Sequence, residues 1–449
     1  MRVTDMTHGR PIRLILLFSL PLMLGSVFQQ LYTIVDTIII GRGVGMQALA
    51  SIGAADWINW LVLWGLQGFT QGFAILAAQE FGAGAYDRLR RVLAMIVKLS
   101  CWFGIAVTII SLLLVRPLLT LLRTDPAVFG GAQTYLYVQF GGSLIIIAYN
   151  MAAAVLRCLG DSRTPLFAII AASFANIALD LLFVMGFGWG IFGASFATVL
   201  AQLIAFLLCL RSLRRLPFVQ LTKADWKTDP AILLHLCRLG IPTGLQMSMI
   251  TLGGMVLQSV LNGFGVVFVA GYTAANKLYG ILESASVAFG YAMTAYMGQN
   301  RGARNAARMD AGIRAVLALS AGFTAAIVMA MLLAGKPLLG LFLSTEEAGA
   351  ADALAVAYQY LMVLMAFLFA LFVLQAYRSS LQGLGEMTVP TLSGFAEMLM
   401  RMGAALVLPV FIGKSGVFFA EGAAWVCAAA LNLVWYYIRI GKIKREMLK

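Results

Sequence analysis

Hydrophobic positions along this chain form long unbroken runs, punctuated by short stretches where Gly, Pro, Arg and Asp collect. A helix needs about 20 apolar residues to cross a bilayer core of about 30 Å. Twelve runs reach that length, at 14–40, 48–78, 92–115, 131–156, 165–186, 190–210, 232–261, 266–297, 312–334, 351–377, 388–411 and 416–438. The alternating ten-residue segments of a membrane β-barrel are not seen. The pattern predicts an all-α polytopic membrane protein with twelve transmembrane helices.

The runs also repeat. Leu156-Arg-Cys-Leu-Gly160-Asp161-Ser-Arg-Thr-Pro165 matches Leu381-Gln-Gly-Leu-Gly385-Glu386-Met-Thr-Val-Pro390. Gly and an acid suit a tight turn, and Pro suits the first turn of the next helix. Gln79-Glu-Phe-Gly82-Ala83 matches Gln299-Asn-Arg-Gly302-Ala303, and Gly190-Ile-Phe192 matches Gly416-Val-Phe418. Two six-helix halves in parallel orientation are therefore expected, the 6+6 plan that places a central cavity between two bundles in transporters. Residues 1–215 should form the first lobe, 216–231 a basic connecting segment carrying Pro217 and Pro230, and 232–449 the second lobe.

Composition narrows the class. The 449 residues are 61% hydrophobic and only 11% charged, against about 25% charged in a soluble domain. The net charge of +13 does not indicate nucleic-acid binding, because no basic domain or strongly basic helix concentrates it. Its distribution orients the chain instead. With the N-terminus inside, 24 of the 32 Lys and Arg fall on the cytoplasmic side, from Arg2 and Arg10 through Arg88 and Arg378 to Lys449. Five (Arg42, Arg116, Arg123, Lys336, Lys414) fall outside, and Lys98, Lys277 and Arg401 lie within spans. Both termini are expected in the cytoplasm. Five scattered cysteines without a CxxC pair make neither a disulfide framework nor a zinc site. No HExxH, GxSxG or paired intramembrane-protease aspartates occur, so the chain is read as a non-enzyme without a resident cofactor.

Ionisable residues inside spans are costly and point to function. Gln29, Tyr32, Thr33 and Asp36 share one face of span 1, the first three as candidates to meet a substrate, and Asn176 and Asp180 stand four apart in span 5 with Ser173 beside them. Thr198 of span 6 could face them across a short glycine-rich turn. Such oxygens suit Na⁺ or a shared proton, although hydrogen bonding to neighbouring helices is the structural alternative. Trp60 and Trp64, in line with Gln67, could hold flat cations on span 2, while Trp57 suits an aromatic belt. In the second half, Glu283 is the candidate for a cationic substrate, with Gln258, Gln375 and a methionine set including Met255, Met293 and Met365 as adaptable lining. Glu397 and Arg401 should neutralise each other, Lys277 should snorkel, and Asp56 and Glu421 should be solvated near helix ends.

The sequence resembles the multidrug and toxic compound extrusion (MATE) family over essentially its whole length. The resemblance rests on Pro21 with Phe28-Gln-Gln-Leu-Tyr-Thr-Ile-Val-Asp36-Thr-Ile-Ile-Ile-Gly41-Arg42, on Ala48-Leu-Ala-Ser-Ile-Gly53, and on Gln79-Glu-Phe-Gly82-Ala83. Gly160-Asp161-Ser-Arg-Thr-Pro165, Gly193-Ala-Ser-Phe-Ala-Thr198 and Pro242 extend it. It implies two pseudo-symmetric six-helix lobes in a V, acting as a monomer in the bacterial plasma membrane. It also implies export of amphipathic, mostly cationic drugs against H⁺ or Na⁺. Asp36, Asn176, Asp180 and Thr198 match the family's first-lobe ion site, which Asn150 would join; these are the metal ligands if the ion is Na⁺. The glutamate that some members carry after the span-7 proline is missing from Thr243–Ile250, so coupling is expected in the first lobe. Two alternatives are a major facilitator exporter, for which Gly84-Ala-Tyr-Asp87-Arg88-Leu-Arg90-Arg91 is a near miss, and a lipid-linked oligosaccharide flippase. The flippase would be expected to carry several cavity cations where the first lobe here is acidic.

Overall fold

The computed structural model of the chain describes residues 3–342 and 349–448. Arg2 and Lys449, counted above among the basic residues, lie outside them. Thirteen α-helices carry the described fold, with no strand among the described residues. They are α1 (Pro11–Gly43), α2 (Met46–Gly82), α3 (Tyr86–Leu121), α4 (Pro126–Gly141), α5 (Ser143–Cys158), α6 (Arg163–Asp180) and α7 (Gly190–Arg214), then α8 (Pro230–Asn262), α9 (Val266–Gly302), α10 (Ala306–Gly340), α11 (Ala350–Gly383), α12 (Thr388–Ile412) and α13 (Phe419–Leu448).

Ten of these helical stretches are long and apolar enough to cross a membrane, and α4 with α5, bent by 50°, makes an eleventh. This is a multi-pass membrane protein. The bend replaces the single run expected at 131–156. It falls at Gly142, where a β-carbon would lie 2.5 Å from Val199 Cγ2 of α7. The one remaining expected span, 266–297 in α9, belongs to a helix 37 residues long that fails on apolarity; Asn276, Lys277, Glu283, Ser284 and Ser286 interrupt it. A further departure is a π-helical turn at Leu181–Gly186, directly after Asp180.

By their contacts the helices sort into two units, Met1–Asp5 with Leu20–Gly244 and Met6–Ser19 with Leu245–Lys449. The opening of α1 therefore belongs to the second unit, and the opening of α8 to the first. Pro21 and Pro242 lie close to the two crossing points and remove a backbone donor from each helix there.

In the first unit α2 packs on α3, α4 and α5, and α7 on α5 and α6. Ala55, Ile58, Val115, Leu119, Leu136 and Phe140 form one buried cluster. Gly72 lets α2 touch the opening of α8, since a β-carbon there would lie 2.6 Å from the Gly240 Cα. Small residues at such crossings permit close backbone approach. The connecting segment docks on the same unit: Lys98 Nζ donates to the Trp226 carbonyl at 2.6 Å and to Thr228 Oγ1 at 2.8 Å. Lys98 thus anchors this segment where it was expected inside a span. Asp225 caps a short 3-10 turn there, accepting from the Thr222 amide (2.8 Å) and hydroxyl (2.7 Å). Burial alone would raise the Asp225 carboxyl, but the two Thr222 bonds and nearby Arg90 and Arg91 outweigh it and hold it below its ordinary range.

In the second unit α11 is central, packed on α9, α10 and α13. The chain opening is held here. Met6 is fully buried, its amide donates to Gln299 Oε1 at 2.8 Å, and its carbonyl accepts from Asn300 Nδ2 (3.1 Å) and Arg308 Nη2 (2.9 Å).

Candidate functional site

The α1 face that carries Asp36 meets the end of α6. Asp180 and Asn176 are 0% and 1% exposed, while Asp36 is half-buried. The two carboxyl groups lie within hydrogen-bond reach of each other, with Tyr32 beside both. Oδ1 of Asp36, both Asp180 carboxylate oxygens, and both polar atoms of the Asn176 amide are buried with no hydrogen-bond partner among the described residues. Two carboxylates in a low-dielectric interior without donors repel one another and are desolvated. A proton shared between them, or a monovalent cation among their oxygens and the Asn176 amide oxygen, relieves both effects.

Local structure explains the placement. Asp180 closes α6 just where the backbone widens into the π-turn, a distortion often found at functional sites. Stacking of Phe183 on Trp189, with centroids 5.0 Å apart, and the Trp189 amide bond to the Phe183 carbonyl at 2.9 Å hold that turn.

Other expected members stand differently. The Thr198 hydroxyl donates to Ala194 O of its own helix at 3.2 Å, and Asn150 Nδ2 to Ile146 O at 2.9 Å. Neither bonds to Asp36 or Asp180 among the described residues. Their oxygens keep lone pairs for a cation. Tyr135 of α4 was not anticipated: it lies near Asp36 and Tyr32, and Asn59 Nδ2 donates to its hydroxyl at 3.3 Å. A tyrosine in an apolar run reads as packing, and the polar setting of this one comes from Asn59 of α2 and from Tyr32 and Asp36 of α1.

Among the substrate candidates of the first unit, Gln29 and Thr33 are exposed, Gln67 is half-buried, and Trp60 and Trp64 are 44% and 45% exposed. Trp60 meets Trp57 edge-on at 5.3 Å. In the second unit Met255, Gln258 and Glu283 are half-buried, and Gln258 Nε2 donates to Asn262 Oδ1 at 3.0 Å. Met293 is fully buried in the helix bundle and offers no surface to a ligand.

The second unit also corrects the reading of its charges. Glu397 and Arg401 do pair, at 3.1 Å, but as the middle of a longer chain. Arg378, expected among the basic loops, is 3% exposed and bonds to Glu397. Glu421, expected to be solvated, bonds to Arg401 at 2.7 Å. Alternating charge on three helices produces a buried line of four, and its ends are not apparent from spacing along one helix. No group of three or more His, Cys, Asp or Glu suited to a metal ion occurs among the described residues.

A family model described as MatE matches residues 21–182 and again 242–407, once in each half and each time from a helix proline. The chain belongs to the MatE family. The MatE chain is 32% identical over 458 residues to "Probable multidrug resistance protein YpnP" of Bacillus subtilis strain 168, covering 100% of this chain and 99% of that protein. It is 22% identical to the "Multidrug export protein MepA" of Staphylococcus saprophyticus, over 94% of this chain and 93% of the relative. Among solved structures, an outward-facing multidrug resistance MATE family transporter of the MOP superfamily superposes with a TM-score of 0.91 at 24% identity, covering 99% of each chain. A MOP superfamily transporter from Pyrococcus furiosus, described as having a binding pocket of reverse polarity, gives the same TM-score, identity and coverage. These likenesses establish the MATE fold for this MatE chain.

Proposed function

We propose that this MatE transporter exports amphipathic, mostly cationic organic compounds across the bacterial plasma membrane in exchange for H⁺ or Na⁺. The observation that carries the reading is the set of Asp36, Asp180 and Asn176, in which Asp36 Oδ1, both Asp180 oxygens and both Asn176 amide atoms are buried without a hydrogen-bond partner among the described residues. Multidrug export is supported by the printed names of its relatives. The excess of Lys and Arg on one side supports cytoplasmic termini.

While both carboxyl groups are charged, the first unit favours a bound cationic drug. Entry of the ion neutralises them, removes that attraction and shifts the balance between two conformations. The moving element in this scheme is α1, which Pro21 and Gly25 allow to bend. Trp60, Trp64 and Gln29 would meet the drug, and Asn150 and Thr198 would add oxygens to the ion. Ethidium efflux from proteoliposomes, with a proton or a sodium gradient imposed separately, tests this. Efflux should follow one gradient and be lost in Asp180→Asn. Efflux under neither gradient, with scrambling of a lipid-linked sugar instead, would overturn it.

A further inference from the structure

Charge does not balance around Glu283 in the second unit. The buried line Arg378–Glu397–Arg401–Glu421 contains two guanidinium groups and two carboxylates and is neutral as a set. Arg401 has little left to offer. Its Nε donates to Glu421 Oε2 at 3.0 Å, its Nη1 to the Ile250 carbonyl at 2.9 Å and its Nη2 to Glu397 Oε1 at 3.1 Å. Glu283 of α9 lies within electrostatic reach of Arg401, Glu397 and Glu421, and its side chain bonds to the Tyr279 hydroxyl. The Tyr279 ring stacks on Trp425, one turn from Glu421, with centroids 5.5 Å apart, which links this part of α9 to α13. Glu283 forms no ion pair among the described residues. Lys277, on its own helix, is exposed and unpaired among them.

The charged and titratable groups acting on this carboxyl are Tyr279 on α9, Glu397 and Arg401 on α12, and Glu421 on α13, while Arg378 on α11 is engaged by Glu397 and Tyr360 on α11 bonds to Tyr272. A third carboxylate beside a neutral, hydrogen-bonded set has no cation to offset its desolvation. Glu283 is nevertheless half-buried, so it is reachable from outside the bundle.

We propose that Glu283 is a second proton-binding site, in the second unit, separate from the Asp36–Asp180 pair. It takes up one proton and becomes neutral against the balanced Arg–Glu line, with Tyr279 supporting either form: its hydroxyl donates to the carboxylate or accepts from the carboxylic acid. This rests on the reading of the chain as an ion-coupled exporter and adds a proton to its cycle. The charge balance also makes Glu421 the switch. Neutralising Glu421 leaves Arg401 short of one carboxylate, and Glu283 then ionises to supply it.

The test is infrared difference spectroscopy on the full chain in lipid, reading the protonated-carboxyl stretch. One component should be lost in Glu283→Gln, lost also in Glu421→Gln although Glu283 is intact, and retained in the Asp36→Asn, Asp180→Asn protein. Protons exchanged per ethidium should fall by about one in Glu283→Gln, since gaining or losing a carboxylate charge is a one-proton event. Gln preserves shape and hydrogen bonding, so an elution profile matching wild type confirms folding. A component that survives Glu283→Gln, or an unchanged proton count, would overturn the site. Survival in Glu421→Gln would overturn the charge balance as its cause. Loss of ion-driven efflux in every protein, with the infrared component still following Glu283, would sink the exporter reading and leave the protonation standing.

Discussion

Asp180 is fully buried, and neither of its carboxylate oxygens has a hydrogen-bond donor among the described residues. An unsatisfied buried polar group costs on the order of 1–3 kcal/mol, and a charged one more. Asp180→Asn replaces the carboxylate with an amide that can donate to Asp36. The variant should unfold at a higher temperature in detergent than wild type while losing ion-driven efflux, both measured on one preparation. A lower unfolding temperature would show that the wild-type carboxyl has a stabilising partner. A second residue lies under backbone strain. After α2, Gly84 adopts φ 66, and at the repeat-related position after α9 Arg304 adopts φ 52. Both amides bond back to the helix end, Gly84 to the Phe81 carbonyl and Arg304 to that of Arg301, and such left-handed caps favour glycine. Arg304→Gly should raise stability by about 1 kcal/mol, read as an upward shift of the unfolding midpoint. Asp36 and Asp180 stood out in the sequence because charge in an apolar run is conspicuous. Tyr135, Arg378 and Glu421 did not: an aromatic in a span and charges near helix ends have ordinary explanations until the facing helix is known.

The helices themselves follow from hydrophobic run length, but their irregularities do not. Gly141 and Gly142 look like any glycines in an apolar run, and only the Val199 side chain seated against Gly142 shows that this position has no room for a side chain. The π-turn after Asp180 has no periodicity of its own to announce it. The unusual polarity of α9 is visible residue by residue in the sequence, although its length matches that of the other spans. The connecting segment, which reads in the sequence as a basic linker, has a built anchor. Asp225 has a folded-state pKa below its ordinary value of about 3.9. Its contribution is therefore complete above that value and is lost as the pH falls through the depressed one. Hydrogen exchange over residues 216–229 should stay slow at neutral pH and, after correction for the intrinsic pH dependence, accelerate on acidification below about pH 4. In Asp225→Asn it should be fast throughout.

At the scale of the molecule, the sequence repeat and the two matches of one family model describe the same duplication. The contact units add something the repeat did not reveal: α1 and α8 each begin in one unit and end in the other. Two fragments cut between residues 221 and 222 would each lack part of a unit, the first without α8's opening and the second without Met6 and the start of α1. Expressed alone, each should be degraded; co-expressed, they should restore ethidium efflux, which a cell-based assay would detect. Failure of the co-expressed pair would show that the exchanged segments complete their units only within one continuous chain. The exchange also bears on how such a chain could arise. A six-helix protein that gives its opening segment to a second copy, and receives one in return, is a domain-swapped dimer. Joining the copies end to end turns an encounter that depends on protein concentration into an intramolecular one with a fixed effective concentration. Each copy is then free to diverge, one retaining a pair of aspartates and the other a line of arginines and glutamates.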